Sequence, residues 1–208
     1  MEDVLDLYEQ PYNPLRPVIC FDERPCQLLG EVLVPIPMKP GRVKRPDYEY
    51  ERKGTCCILL AFEPLRSWRF VQVRKQRTAV DYAAFMQELV NTYYPAVERV
   101  QLVQDNLNTH TPGAFYHALA PHEAFAWAQK FTLHYTPLKG SWLNMAEIEF
   151  SALARQCLDR RIGDMETLAH EVVCWSADRN KARKTTRWKF TKNDARRKLQ
   201  KRYPLLQN

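Results

Sequence analysis

The chain reads VICFDE at residues 18–23, an apolar run that ends in two acids. A second run of the same kind, RVQLVQDN, occupies 99–106 and carries Asp105 at its end. Apolar runs of this length are typical of strands buried inside a sheet. The two stretches therefore predict central strands that each end in a carboxylate.

Other elements follow from the pattern on either side of these runs. Further strands are predicted at 54–64, 68–75 and 132–135, and helices at 79–94, 142–158, 164–183 and 193–202, with short helical pieces between 113 and 130. The segment 24–53 is rich in proline, glycine and charge, and it is predicted to be a long irregular excursion. Strands interleaved with helices predict a mixed α/β domain with one antiparallel hairpin.

Composition limits the class of protein. The 208 residues fit one domain, and 45% hydrophobic with 26% charged residues is the balance of a globular chain. No apolar run is long enough to cross a membrane, and the acidic N-terminus lacks the features of an export signal, so the cytoplasm is the expected location. Six cysteines without CxxC or zinc-finger spacing are expected to be reduced thiols.

Charge is distributed unevenly along the chain. The net charge is +7, but twelve basic residues and one acid lie between 179 and 202, which leaves the rest of the chain slightly acidic. A basic end on an acidic body suggests a polyanionic partner, although a solvated basic helix is almost as good an explanation. The pattern divides the chain into a lead-in at 1–17, a domain at 18–183 and a basic tail at 184–208.

Three acids are candidates for chemistry. Asp22 and Asp105 follow predicted strands, and strand ends are where open sheets place ligands, although such an acid alone is more often a turn former or a helix cap. Glu147 is the third candidate, because it falls within the predicted inward stripe of the helix at 142–158, whereas Glu149 falls roughly 120° from the centre of that stripe. A salt bridge to lysine or arginine explains Glu147 as well as a metal site does.

A cluster of three carboxylates without histidine or cysteine would suit hard cations. Mg²⁺ and Mn²⁺ prefer oxygen ligands, whereas zinc prefers nitrogen and sulfur. Two such ions about 4 Å apart could hold the attacking and leaving oxygens of a phosphoryl displacement. The site that these acids predict is therefore a two-metal site.

Three motifs in this order resemble a known family. VICFDE at 18–23, LVQDNLNTH at 102–110 and PLKGSWLNMAEIEF at 137–150 are similar to motifs of bacterial insertion-sequence transposases of the mariner-like superfamily. The resemblance covers about 18–183. It implies a DDE endonuclease on a ribonuclease-H-like fold, a five-stranded mixed sheet flanked by helices, which agrees with the order of elements above.

The resemblance also implies roles for individual residues. Asp22, Asp105 and Glu147 would be the catalytic acids and the ligands of two Mg²⁺ or Mn²⁺ ions. Side chains beside them would support the acids or position DNA, and these are Asn106, His110 and Asn144. His110 is explained equally well as an ordinary core or surface histidine.

Transposition implies DNA as the partner and the nucleoid of a bacterial cytoplasm as the location. The reactions would be metal-dependent hydrolysis at the transposon ends and transfer of the freed 3′-hydroxyl into target DNA. Positively charged or aromatic side chains are the expected DNA contacts, and they are Lys44, Arg45, Lys139, Trp142, Arg179, Lys181, Arg183, Lys184 and Arg187.

The resemblance leaves alternatives open. Transposases of this kind carry a helix-turn-helix half before the catalytic domain, so a DNA-binding half encoded upstream is expected, as is a possible homodimer. The alternative is an inactive or truncated remnant that acts at most as a DNA-binding or dimerisation module. No membrane partner is expected.

Overall fold

The computed structural model describes residues 1–33, 38–42, 48–183, 186, 188–200 and 203. Within these ranges the strands are β1 (Val18–Glu31), β2 (Tyr50–Glu63), β3 (Trp68–Arg74), β4 (Val100–Gln104) and β5 (Phe131–Tyr135). The helices are α1 (Glu2–Glu9), α2 (Ala79–Glu88), α3 (Gly113–Ala118), α4 (Pro121–Ala128), α5 (Ala146–Gln156), α6 (Met165–Ala182) and α7 (Lys192–Lys198). A π turn at Leu89–Tyr93 extends α2, and a 3₁₀ turn at Ser141–Leu143 precedes α5.

The strands form one mixed sheet in the order β3-β2-β1-β4-β5. β1, β2 and β3 pair antiparallel, whereas β1 pairs parallel with β4 and β4 pairs parallel with β5. The predicted hairpin is the β2–β3 pair, closed by a turn in which Ser67 has a φ of 54°. Each parallel pair is joined by a crossover that contains helices, as parallel strands require.

The first two strands are longer than the sequence pattern predicts. β1 continues through 24–31 and pairs with 50–57 of β2, so the predicted irregular segment is strand at its two ends, 24–31 and 50–53. The prediction was wrong because this part of the ribbon is largely exposed, and its polar side chains hide the apolar alternation that identifies a half-buried strand. Asp22 therefore lies inside β1 and does not end it.

Each face of the sheet is covered by its own layer of helices. One core contains side chains of α1, α5, α6 and α7, and the other contains side chains of α2, α3 and α4. Leu5 of α1 and Ala195 of α7 are both fully buried in the first core. The predicted boundaries at 17 and 183 therefore do not separate packed chain from unpacked chain.

Helix α5 begins later than predicted. The prediction started it near 142 with Ser141 as its cap, but the side chain of Ser141 makes no capping hydrogen bond and the α-helix starts at Ala146. In its place the Ala146 backbone N–H donates to Asn144 Oδ1 at 3.1 Å. Asn144 thus satisfies one of the free amides at the helix start, as capping residues do.

Among the described residues, none of the helices is both long and apolar enough to span a membrane.

Candidate functional site

Two predicted acids meet where the parallel strands β1 and β4 separate. The register between these strands ends at Cys20 opposite Val103, and two further steps place Asp22 opposite Asp105. Asp105 is the first residue after β4, and β1 continues past this point alone on that side. The sheet itself therefore brings together two carboxylates that are 83 positions apart in the chain.

Asp22 lies in a largely buried and negatively charged environment. Its Oδ1 accepts a hydrogen bond from the Glu23 backbone N–H at 2.8 Å, and its Oδ2 lies 3.4 Å from Asn144 Nδ2. Burial is the largest cause that raises the pKa of the Asp22 carboxyl to about 7; the charges of Glu147 and Asp105 act in the same direction, whereas the Glu23 N–H and His110 act against it. A site that disfavours its own negative charge in this way is one that a cation would stabilise.

Asp105 is held by a buried histidine. His110 Nδ1 lies 2.5 Å from Asp105 Oδ1, and its Nε2 lies 3.4 Å from Glu23 Oε2 without forming a hydrogen bond. Burial lowers the pKa of His110, but the two carboxylates outweigh it and raise the pKa to about 9. Of the two interpretations of His110 left open by the sequence, the structure favours the one in which it supports an acid.

Asn144 joins the turn before α5 to the strand that carries the first acid. Its side chain is buried, and its Nδ2 donates to the Phe21 carbonyl at 2.8 Å as well as approaching Asp22. The Tyr8 hydroxyl donates to the carbonyl of the preceding residue, Leu143, at 2.7 Å. The predicted supporting role of Asn144 therefore has a structural basis, whereas Asn106 is exposed.

Glu147 and Glu149 are placed opposite to the prediction. Glu147 is exposed and lines a cleft of about 390 Å³ together with Asp22 and Arg24, whereas Glu149 is 1% exposed. The prediction took Leu143 as part of the helix and defined the buried stripe from it, but Leu143 lies in the 3₁₀ turn. The buried stripe of α5 begins at Ala146, the first residue of the helix, and it contains Glu149. The buried residues of α5 are Ala146, Glu149, Phe150, Ala152 and Leu153, and Cys157 directly after the helix is buried as well.

The three acids share one end of the sheet without forming a closed metal site. Over the described ranges, no three His, Cys, Asp or Glu side chains are grouped closely enough to hold a metal ion as they are placed. Like charges repel, and one Asp105 oxygen is directed to His110 instead. The assignment of Asp22, Asp105 and Glu147 as metal ligands stays a prediction.

Three residues near the acids were missed by the sequence interpretation. Glu23, whose side chain is 4% exposed, lies between His110 and Arg77, and Arg77 Nη1 is 3.0 Å from Glu23 Oε1. Arg24 donates to the Phe150 carbonyl at 3.4 Å beside the cleft of Asp22 and Glu147. The second acid of VICFDE was the only available signal, because nothing local predicts that Arg77 reaches β1.

The predicted DNA contacts fall into different environments. Lys139, Lys181 and Arg183 are exposed, and Trp142 stacks on Trp188 with ring centroids 6.1 Å apart. By contrast, Arg179 donates from Nε and Nη2 to both carboxylate oxygens of Glu149, at 2.9 and 3.0 Å, so these donors face the protein interior. The remaining four predicted contacts, Lys44, Arg45, Lys184 and Arg187, lie outside the described residues.

A sequence profile described as "DDE superfamily endonuclease" matches residues 17–169 of the chain. The chain belongs to this family. The match includes Asp22, Asp105 and Glu147, and it confirms the DDE family to which the resemblance pointed. The bacterial origin that the resemblance implied stays a prediction. No curated protein matches the chain.

Solved structures of the Mos1 mariner protein share the fold. The paired end complex with Mn and the strand transfer complex both align with a TM-score of 0.55, and a pre-cleavage transpososome aligns with 0.56. Each is 15% identical, with 84% of this chain covered. The predicted ribonuclease-H-like fold is confirmed. This chain spans about half the length of those proteins, 51% to 52%.

Proposed function

We propose that this chain is the catalytic domain of a DNA transposase that cleaves phosphodiester bonds with divalent metal ions. The observation that carries the proposal is the convergence of Asp22, Asp105 and Glu147 at one end of the sheet in a chain of the DDE endonuclease family. The Mos1 structures that share the fold are described as paired end and strand transfer complexes, which supports DNA ends as the substrate.

The chemistry of the donors suits a pair of hard cations. The donors are carboxylate oxygens, which Mg²⁺ and Mn²⁺ prefer, and the raised pKa of Asp22 reflects burial and negative charge that a cation would offset. Asp22, Asp105 and Glu147 would hold the ions. When bound, such ions activate an attacking water or 3′-hydroxyl and stabilise the leaving oxygen of a phosphodiester.

The protein's own contribution is positional. Asn144 orients Asp22 and caps the helix that carries Glu147, while His110 orients Asp105. Outer contacts of this kind fix metal ligands before the metal arrives. Arg24 beside the cleft and the exposed Lys139, Lys181 and Arg183 would contact phosphates of the DNA.

The proposal extends to partners and location. A helix-turn-helix half encoded upstream would recognise the element ends, and a homodimer would hold two ends together. The protein would act on the nucleoid of a bacterial cytoplasm. A remnant that only binds DNA or dimerises is the competing possibility, and it differs in one measurable property, the absence of metal-dependent cleavage.

The test is nicking of a supercoiled plasmid in the presence of Mn²⁺ or Mg²⁺, with joining of a 3′-hydroxyl oligonucleotide as a second assay. We expect Asp22→Asn, Asp105→Asn and Glu147→Gln each to reduce nicking by a factor on the order of 10³ or more, because each removes a metal ligand. Glu98→Gln is the matched control, since Glu98 is an exposed acid near the opposite end of β4. Nicking that survives all three substitutions would refute the proposal, and wild-type protein that binds DNA without nicking it would identify the remnant.

A further inference from the structure

The Glu147 side chain is not held by any specific contact among the described residues. Its side chain makes no hydrogen bond or ion pair with another residue in the part of the chain that the structure describes, although it lines the cleft beside Asp22. Its backbone N–H donates to the Asn144 carbonyl at 3.1 Å. The position of this carboxylate is therefore set by the position and rotation of α5.

The first contact that fixes α5 is at its start. Asn144 accepts from the Ala146 N–H and donates to the Phe21 carbonyl, so it ties the first residue of the helix to β1. This contact holds one point of the helix. The apolar side chains of α5 pack it on the core, and a second hydrogen-bonded contact on another element adds a directional constraint on its rotation about the helix axis.

Glu149 supplies the second contact. Arg69 of β3 donates from Nε to Glu149 Oε2 at 2.5 Å and from Nη2 to Oε1 at 3.0 Å. Arg179 of α6 donates to the same two oxygens from the other side. Paired guanidinium forks define the direction of a carboxylate as well as its position, which an apolar contact does not do.

The arginines are themselves fixed. Arg69 is 2% exposed, and its Nη1 donates to the Ser67 carbonyl at 2.9 Å while its backbone N–H donates to Asn180 Oδ1 at 2.8 Å. Arg179 lies over the Trp175 ring, 5.3 Å from its centroid. The clamp formed by Arg69, Glu149 and Arg179 thus connects α5 to an edge strand and to α6 through groups that have little freedom to move.

We propose that Glu149, held by this clamp, is a positioning residue that sets the rotation of α5 and thereby aims Glu147 at Asp22 for shared metal binding. This inference rests on the proposed function, because it assumes that the two acids bind the same metal. Burying three charges is weak evidence for added stability, since an apolar set of similar volume is often at least as stable. The need to fix the rotation of α5 explains why charged groups, and not apolar ones, occupy the positions of Arg69, Glu149 and Arg179.

The test is Mn²⁺ affinity measured by calorimetry on the whole chain, together with Mn²⁺-dependent nicking. Arg179→Met removes one fork of the clamp and leaves the Arg69 pair, and Arg179→Lys restores charge without the fork geometry. We expect both to weaken Mn²⁺ binding by about tenfold, the effect typical of removing a side chain that orients a metal ligand. Urea unfolding of the metal-free proteins checks that each variant is folded.

The control is Arg160→Met. Arg160 lies in the segment that follows α5, beyond the end opposite to Glu147, and its Nη2 is 2.5 Å from Glu171 Oε2 of α6; the Arg160 side chain is 53% exposed. We expect its Mn²⁺ affinity to equal that of the wild type. A folded Arg179→Met protein with wild-type Mn²⁺ affinity would overturn the inference, because the clamp would then be merely structural.

The two proposals fail in different ways. Wild-type protein that binds Mn²⁺ but does not nick DNA refutes the transposase function, and the affinities of the variants then still decide whether the clamp positions Glu147. Wild-type protein that binds no Mn²⁺ at millimolar concentration overturns both.

Discussion

Glu147 and Glu149 are two residues apart on one helix and have opposite surroundings. Glu147 is exposed in a cleft that is also lined by Asp22 and Arg24, and its charge raises the pKa of Asp22. Glu149 is buried between two arginines that donate four hydrogen bonds to it. The comparison separates an acid that is available to a ligand from an acid whose charge is already matched by the protein.

The pKa directions show the same contrast. Burial alone would raise the pKa of Glu149, but the two arginines outweigh it and lower the pKa below its usual value. At the cleft, burial and neighbouring carboxylates raise the pKa of Asp22 to about 7. The fold therefore stabilises the ionised form of Glu149 and disfavours the ionised form of Asp22, the neighbour of Glu147 in the cleft. This is expected where a cation is to be bound.

The largest expected effect is from Glu149→Gln. Removing the carboxylate leaves two guanidinium groups with unmatched charge, so we expect the free energy of unfolding at pH 7 to fall by about 3 kcal/mol. Because the folded-state pKa of Glu149 is lowered, this contribution exists above its unfolded pKa and disappears as the pH falls through the folded value. Urea titrations at pH 7 and pH 3 measure it.

Glu147→Gln is the matched control for that measurement. We expect its unfolding free energy to stay within about 0.5 kcal/mol of the wild type, the range for an exposed side chain without partners. Equal losses from the two substitutions would remove the contrast between the two acids.

The next effect is stabilisation by metal. We expect Mn²⁺ at a hundred times its dissociation constant to stabilise the wild type by about 2.7 kcal/mol, seen as a higher melting temperature. Asp22→Asn and Glu147→Gln should lose most of this gain, and Glu98→Gln should retain it. A gain of the same size in all four proteins would place the metal elsewhere.

A smaller effect is expected when one cleft charge is removed in the absence of metal. Asp22 has a raised folded-state pKa, so its ionisation costs stability as the pH rises from its unfolded pKa near 4 toward 7. We expect metal-free Asp22→Asn to be more stable than the wild type by about 1 to 2 kcal/mol at pH 8, with the difference vanishing near pH 4. A less stable variant at pH 8 would show that the hydrogen bonds of Asp22 outweigh its burial.

The smallest effect concerns the exposed cations. Replacing Lys181, Arg183 and Lys189 by Gln should weaken DNA binding severalfold at moderate salt and reduce the salt slope by up to about 0.9 for each phosphate that is no longer neutralised. Arg16→Gln removes another exposed charge, one that is paired with Glu98. We expect the Arg16→Gln substitution to leave the salt slope unchanged. Fluorescence anisotropy with a DNA duplex of arbitrary sequence measures the affinity and the salt slope of each variant.

Local pattern was sufficient for the order of elements and for two of the three acids. Apolar runs predicted β4 and the start of β1, and an acid directly after each run predicted a shared site once the strands were taken as neighbours. The pattern was insufficient for the rest of β1, where exposed polar side chains on a paired ribbon look like a loop. Strand pairing there depends on β2, which is distant along the chain.

The roles of the two glutamates on α5 depended on the helix start. A helix that starts at 142 defines its buried stripe from Leu143, and Glu149 then lies off that stripe. The helix starts at Ala146, and the stripe that begins there includes Glu149. Nothing in SWLNMAEIEF shows that the Asn144 side chain would accept from the first amide of the helix and donate to the Phe21 carbonyl of β1. The arginines that match Glu149 are 80 residues before it and 30 residues after it.

By itself, the sequence determined the class of fold, the family and the acids to be examined, because apolar periodicity and short motifs are local properties. Only the tertiary structure decided which of those acids are matched by arginine and which remain open to a ligand. The physical reason is that the energy of a carboxylate depends on burial and on charges within a few ångströms, and the residues that supply them here come from distant strands and helices.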